Sequence, residues 1–148
     1  MANVLFVCTG NTCRSPMAEA LMKSKQPLHI EVRSAGVFAQ SGQNASVHAR
    51  EVLADHQIEC RHSAKMLTME ELEWADYVLA MTRSHQRMIE QQYPQFQGKI
   101  FTLKEFVGVK AGSLDVLDPF GGSKEDYQAT YEELNQLIDS LIERLSRN

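Results

Sequence analysis

The chain has 148 residues, 43% of them hydrophobic, which fits one folded domain with a real core and excludes a disordered segment. A formal net charge of −4 argues against a nucleic-acid partner, and no apolar stretch approaches the roughly 20 residues of a membrane span, so no membrane association is expected. Three cysteines cannot all pair, and the N-terminus lacks the basic start of a signal peptide; a cytoplasmic monomer with largely reduced thiols is expected.

No internal repeat, low-complexity tract or linker divides the chain, so residues 1–148 read as one domain. Residues 3–8 (NVLFVC) are a short apolar run, the mark of a central parallel strand. Ser15 and Pro16 then open a helix that continues through MAEALMKSK, with Pro16 suited to a first helical position. HIEVRSAG alternates Ile30, Val32 and Ser34 against Glu31 and Arg33 and predicts a strand. SVHAREVLADH reads as helix, and Thr68 with Glu71 forms a capping-box pattern before another. DYVLAM is a second buried strand, RSHQRMIEQQY a helix and KIFTL a short strand. Ser123 and Asp126 mark a further cap, after which Tyr127, Tyr131, Leu134, Ile138, Leu141 and Leu145 follow helical spacing. The alternation predicts an α/β fold: a four-stranded parallel sheet with helices on both faces. Ligands in such folds bind beyond the carboxyl ends of the strands, and Cys8 sits at such an end.

Cys8 and Arg14 form Cys-x5-Arg between that first strand and the first helix. Neither nucleotide-binding glycine signature is present. A loop of this length can curl its backbone N–H groups inward around an oxyanion, with Gly10 and Asn11 supplying the positive φ that the curl needs. Arg14 adds a planar fork for phosphate oxygens, and the helix N-terminus favours a Cys8 thiolate. A thiolate at the floor of an anion-binding loop is a device for nucleophilic attack on phosphorus.

VCTGNTCRSPMAEA near the N-terminus and DPFGG at 118–122, with RSAG, ADYVLAM and the final helix in order between and after them, resemble the low-molecular-weight protein tyrosine phosphatase family over essentially the whole chain. The resemblance implies that Cys8 forms a phosphocysteine and that Arg14 holds the phosphoryl group. Thr9, Gly10, Asn11, Thr12 and Cys13 would complete the phosphate-binding loop. Ser15 would hydrogen-bond the thiolate, and Asn11 would fix the strained turn with help from Ser34 and His62. Cys13 would pair with Cys8 under oxidation and protect it, if it is not a bystander thiol.

The leaving group needs a proton, and a carboxylic acid across the pocket could supply it. Asp115 and Asp118 both lie in LDVLDP; the resemblance selects Asp118, which precedes Pro119. DPFGG by itself would be an ordinary turn. In the family, a bulky Ile or Leu before the second cysteine goes with phosphotyrosine, and Thr goes with the bacterial, Bacillus-type protein arginine phosphatases. Thr12 occupies that position here. Its hydroxyl could orient the attacking water, while Asp118 pairs with the leaving guanidinium and Phe120 stacks on it. RSAGVFA, VLAMT, FTLKE and DVLDPFGGS strengthen the likeness to that branch. The expected activity is hydrolysis of phosphoarginine in protein substrates, without cofactor or metal; phosphotyrosine hydrolysis is the alternative.

Two rivals are weaker. Thiol-linked arsenate reductases share the loop but need two further cysteines after a later strand, where VLAMTRSHQRM has none. A zinc module could use Cys8, Cys13, Cys60 and His62, yet Arg14 would then face a dication. His29, His48, His56 and His85 show no ligand spacing and are expected in surface or helix roles.

Overall fold

A computed structural model describes residues 2–147. Its elements run β1 (Ala2–Cys8), α1 (Arg14–Ser24), β2 (Ile30–Gly36), α2 (Val47–Asp55), α3 (Met69–Trp74), β3 (Tyr77–Ala80), α4 (Arg83–Gln92), a 3-10 turn (Pro94–Lys99), β4 (Ile100–Thr102), α5 (Leu103–Phe106) and α6 (Lys124–Ser146). The four strands are all parallel, in the order β2-β1-β3-β4.

The sheet is buried on both faces because its strands are apolar on both. Val4, Phe6 and Cys8 point to one side, where they meet α1, α2 and the long α6 through Met17, Leu53, Leu134, Ile138 and Leu141. Leu5 and Val7 point to the other, against Leu72 of α3 and Ile89 of α4. The residues of β1 from Val4 to Val7 have no exposed surface, so a one-residue slip would gain nothing in burial; the register is set by the strand ends and the helical crossovers. Among the described residues, no helix is long and apolar enough to cross a membrane.

Three local expectations need correction. Helix α1 begins at Arg14, so Pro16 is its third residue and not its first; the backbone turn ends earlier because Cys13 already serves as the cap. Of the Thr68–Glu71 capping box, only the Thr68 half forms: its hydroxyl accepts from the Glu71 N–H, while the Glu71 carboxylate pairs with Arg33 and Lys65. Asn11 has a positive φ of 56°, as expected, but Gly10 is not in that region. The Ser123–Asp126 box forms in both directions and starts α6 immediately after the Asp-Pro loop.

The chain passes from β1 outward to β2, then crosses back to β3 on the other side of β1. The loops after β1 and β3 therefore diverge and leave a crevice at their carboxyl ends.

Candidate active site

The loop from Cys8 to Arg14 fills that crevice. A cavity of about 350 Å³ is lined by Cys8, Thr9, Gly10, Thr12, Cys13, Arg14, Gln43, Asp118 and Phe120. The fold thus brings Cys8, Arg14, Asp118 and Phe120 to one cavity from positions more than a hundred residues apart. Asn11, Ser15, Ser34 and His62 lie behind it.

The support runs through Asn11, which is fully buried. Its Nδ2 donates to Ser15 Oγ and to Ser34 Oγ, each at 2.9 Å. Its Oδ1 accepts from the Lys65 N–H at 3.0 Å, and its carbonyl accepts from His62 Nε2 at 2.6 Å. A side-chain amide that spends all its groups on neighbours can hold a left-handed residue that sterics disfavour. These bonds also set a direction. Ser15 Oγ accepts from Asn11, so its own hydrogen is free for Cys8 Sγ, 2.8 Å away. Ser34 in turn donates to Glu19, a carboxylate on α1 that sequence reasoning missed.

Gly36, at the end of β2, is a second missed residue. A Cβ there would lie 2.5 Å from the Thr9 carbonyl oxygen and 2.9 Å from the Asn11 nitrogen, so only glycine lets the loop lie this close to the sheet. Backbone bonds from Val37 to the Cys8 carbonyl and from Phe38 to the Thr9 carbonyl fasten the same approach.

Helix α1 starts from the cavity wall, and no side chain caps it. Its free N–H groups and dipole favour an anion there. Arg14 is 4% exposed; its Nη1 donates to the Val116 carbonyl at 3.0 Å and its Nη2 lies 3.5 Å from Asp118 Oδ2. Its Nε is buried without a partner among the described residues, leaving one guanidinium N–H unused beside the cavity.

Asp118 is half exposed at the mouth, with Oδ1 accepting from the Phe120 N–H at 3.0 Å. Gly121, at φ 77°, lets the loop turn away beyond it. Asp115 is elsewhere: it accepts from the Arg83 N–H at the start of α4 and is not in the cavity wall. Of the two acids, only Asp118 lies in the cavity wall. Phe120 is 76% exposed, an apolar plate at the rim.

Cys13 is buried, its sulfur 3.4 Å from Tyr127 Oη and 3.8 Å from Ser46 Oγ. Burial, and then the bond to Cys13, push the Tyr127 phenol up to about 12. Cys8, Cys13 and Cys60 are all free thiols. Cys60 and His62 line a different cavity, behind the loop. The donors of the zinc alternative are therefore split between two cavities, and among the described residues no three His, Cys, Asp or Glu side chains are grouped to hold a metal.

His85 stands on a helix, one of the two roles expected for it, but it is not at the surface. It is 5% exposed, near the start of α4, and its Nε2 lies 2.8 Å from Thr9 Oγ1 in the loop. Its place directly after an apolar strand was the available signal, since helices after β3 open on the same crevice as those after β1. Burial, followed by the Arg14 guanidinium, lowers its pKa from 6.5 to about 4, against the pull of Asp118 and Asp115. The imidazole is neutral at pH 7.

Comparison with known proteins places the chain and its fold in a family. Residues 3–148 match the family model described as low molecular weight phosphotyrosine protein phosphatase. A protein-arginine-phosphatase of Geobacillus stearothermophilus is 53% identical over 96% of this chain and 95% of its own length. One of Bacillus subtilis is 48% identical over 99% of this chain and 98% of its own. The solved structure of the YwlE arginine phosphatase from Geobacillus stearothermophilus superposes with a TM-score of 0.96 at 51% identity, covering 99% of this chain and 94% of that one. The chain belongs to the low molecular weight phosphotyrosine protein phosphatase family.

Proposed function

We propose that this protein hydrolyses phosphoarginine in protein substrates through a phosphocysteine at Cys8. The Cys8 thiolate attacks phosphorus as the bond from phosphorus to the guanidine nitrogen breaks. Asp118 delivers a proton to that nitrogen, so the arginine side chain departs as its guanidinium. The resulting Asp118 carboxylate then takes a proton from water, whose oxygen attacks the phosphocysteine, releasing phosphate and restoring the thiolate. Arg14 and the loop N–H groups hold the phosphoryl oxygens in both steps. The Ser15 hydrogen aimed at Cys8 Sγ stabilises the thiolate as nucleophile and as leaving group.

The observation that carries the phosphoarginine reading is Thr12 in the wall of the cavity that Asp118 also lines. A hydroxyl and a methyl there leave room for the hydrolytic water, and an acid at the mouth suits a cationic leaving group. The names of the two bacterial relatives support the same substrate. The family model's own description keeps phosphotyrosine as the second reading. Cys13, in the same wall as Cys8, would trap an oxidised Cys8 as a reversible disulfide.

The test is a rate comparison on matched phosphoarginine and phosphotyrosine peptides, for wild type and Thr12→Ile. Wild type is expected to favour phosphoarginine. The variant should lose that activity and gain on phosphotyrosine, because a branched hydrocarbon displaces the water and packs a phenyl ring. Each tenfold shift corresponds to about 1.4 kcal/mol in the barrier, within reach of one hydrogen bond and one methyl contact. Preference of the wild type for phosphotyrosine would replace the proposal by the second reading.

A further inference from the structure

The crevice between β1 and β3 is crossed by a chain of hydrogen bonds that the chemistry above does not use. Thr82, the residue before α4, accepts the His85 backbone N–H on its Oγ1 at 3.1 Å. The same Oγ1 lies 2.9 Å from His85 Nδ1. On the other edge of the ring, Nε2 lies 2.8 Å from Thr9 Oγ1. Thr9 directly follows Cys8 and lines the cavity.

The direction we assign to the chain rests on counting hydrogens among the protein groups. Thr82 has one hydroxyl hydrogen and, among the described residues, no acceptor for it other than Nδ1. With Nδ1 accepting, a neutral imidazole carries its proton on Nε2 and donates to Thr9 Oγ1. Thr9 then has its own hydroxyl hydrogen left, and no protein acceptor for it among the described residues. The ring's surroundings keep it neutral: burial first, and then the Arg14 guanidinium, disfavour a second proton, and Asp118 and Asp115 oppose them too weakly to restore one.

We propose that Thr9 is a phosphoryl-binding residue, donating its hydroxyl hydrogen to an oxygen of the group held in the loop, and that His85 is the positioning residue that fixes this rotor. The inference rests on the phosphoryl-transfer reading of the cavity. It adds to the backbone N–H groups and Arg14 a side-chain donor anchored on the second βα loop, so that both walls of the crevice act on one anion. A hydroxyl locked from behind loses no rotor freedom when the anion arrives, which is the condition for a donor to favour the transition state.

The experiment measures inorganic phosphate affinity by calorimetry for wild type, Thr9→Val, Thr9→Ser, His85→Leu, His85→Gln and the Thr9→Val/His85→Leu pair. Thr9→Val is expected to weaken phosphate about tenfold, the size of one hydrogen bond to a charged group, and Thr9→Ser to restore it. His85→Leu should weaken binding in the wild-type background and add nothing to Thr9→Val; His85→Gln, whose amide N–H can stand at the Nε2 position, should recover most of the loss. Imidazole 15N shifts of the wild type should place the proton on Nε2. Phosphate affinity unchanged in Thr9→Val, additive losses in the pair, or a proton on Nδ1 would each overturn the inference. Thr9 is exposed at the rim, so its variants decide the matter even if His85→Leu does not fold. Phosphopeptide turnover is scored separately: a wild type that binds phosphate but hydrolyses no phosphopeptide would remove the proposed function and leave the relay to be judged on affinity.

Discussion

Asn11 is the position where the largest number of distinct forces meet, and its replacement can be worked out in advance. Asn11→Ala removes three side-chain hydrogen bonds and strands Ser15 Oγ, Ser34 Oγ and the Lys65 N–H. At about 1 kcal/mol for each bond, these amount to about 3 kcal/mol. Alanine must also hold φ 56° without the local bonds that let asparagine tolerate it, which adds about 1 kcal/mol. The expected loss is about 4 kcal/mol, a large part of the roughly 5–15 kcal/mol that a domain has. Asn11→Gly pays only the first part and should be about 1 kcal/mol more stable than the alanine variant. Urea unfolding measures both; at a slope of about 2 kcal/mol per molar, the alanine midpoint should fall by about 2 M with the slope unchanged. Asn11→Asp separates stability from chemistry. It keeps an acceptor for Lys65 and loses both donors, so Ser15 is no longer forced to aim its hydrogen at Cys8, and turnover should drop further than stability. Equal midpoints for the alanine and glycine variants would refute the account of the backbone. A glycine variant as stable as wild type would refute the account of the hydrogen bonds.

Asp118→Asn should lower turnover by about two to four orders of magnitude, and the loss should shrink on substrates with good leaving groups; an equal loss on all of them would make Asp118 structural. The His85 imidazole titrates near 6.5 when unfolded and near 4 when folded, so between those values the unfolded chain binds the proton and the native one does not. Its contribution is complete above about pH 6.5 and is lost as pH falls toward 4, on the order of 2 kcal/mol once solvent screening is allowed for. Urea midpoints at pH 7 and 4.5 should therefore converge more in His85→Gln than in wild type, and an identical pH dependence would refute the shift. Peroxide inactivation should be reversed by a thiol reductant in wild type and not in Cys13→Ser; mass spectrometry that finds no link between Cys8 and Cys13 in the oxidised wild type would end that idea.

What was legible in the sequence was what is local. Cys-x5-Arg between an apolar run and a helix specifies a loop by its own spacing, and the four strands and the last helix follow from apolar periodicity that the buried sheet then repeats. Errors of a residue or two arose where the helix start depends on tertiary position: Pro16 reads as a first residue until the loop before it is known to end at Cys13. Gly10 and Asn11 look equally able to take positive φ, and only the buried partners of Asn11 decide between them. Gly36, Glu19, His85 and Gln43 were missed because each reaches the loop from another element. The need for a glycine at 36 comes from the Thr9 carbonyl facing it across the strand pair, which no window of sequence contains.

The arrangement separates two tasks that act on one loop. Asn11, Ser15, Ser34, Glu19 and His62 bind the loop from behind, where their bonds are buried and directional, so changes there disturb the geometry of every substrate alike. Thr9, Thr12, Gln43 and Phe120 face the cavity from the wall and rim, and among them Thr9 is tied back into the fold through His85. Gln43 and Phe120 are exposed and Thr12 is half-buried, so their side chains can change size or charge without opening a hole in the core. A frame that fixes the phosphoryl group, surrounded by a rim with little structural duty, is the physical condition under which one family can act on different phosphorylated side chains. On the proposed function, it also places Thr12 and Phe120 where a single substitution reaches the leaving group and leaves Cys8, Arg14 and their supports as they were.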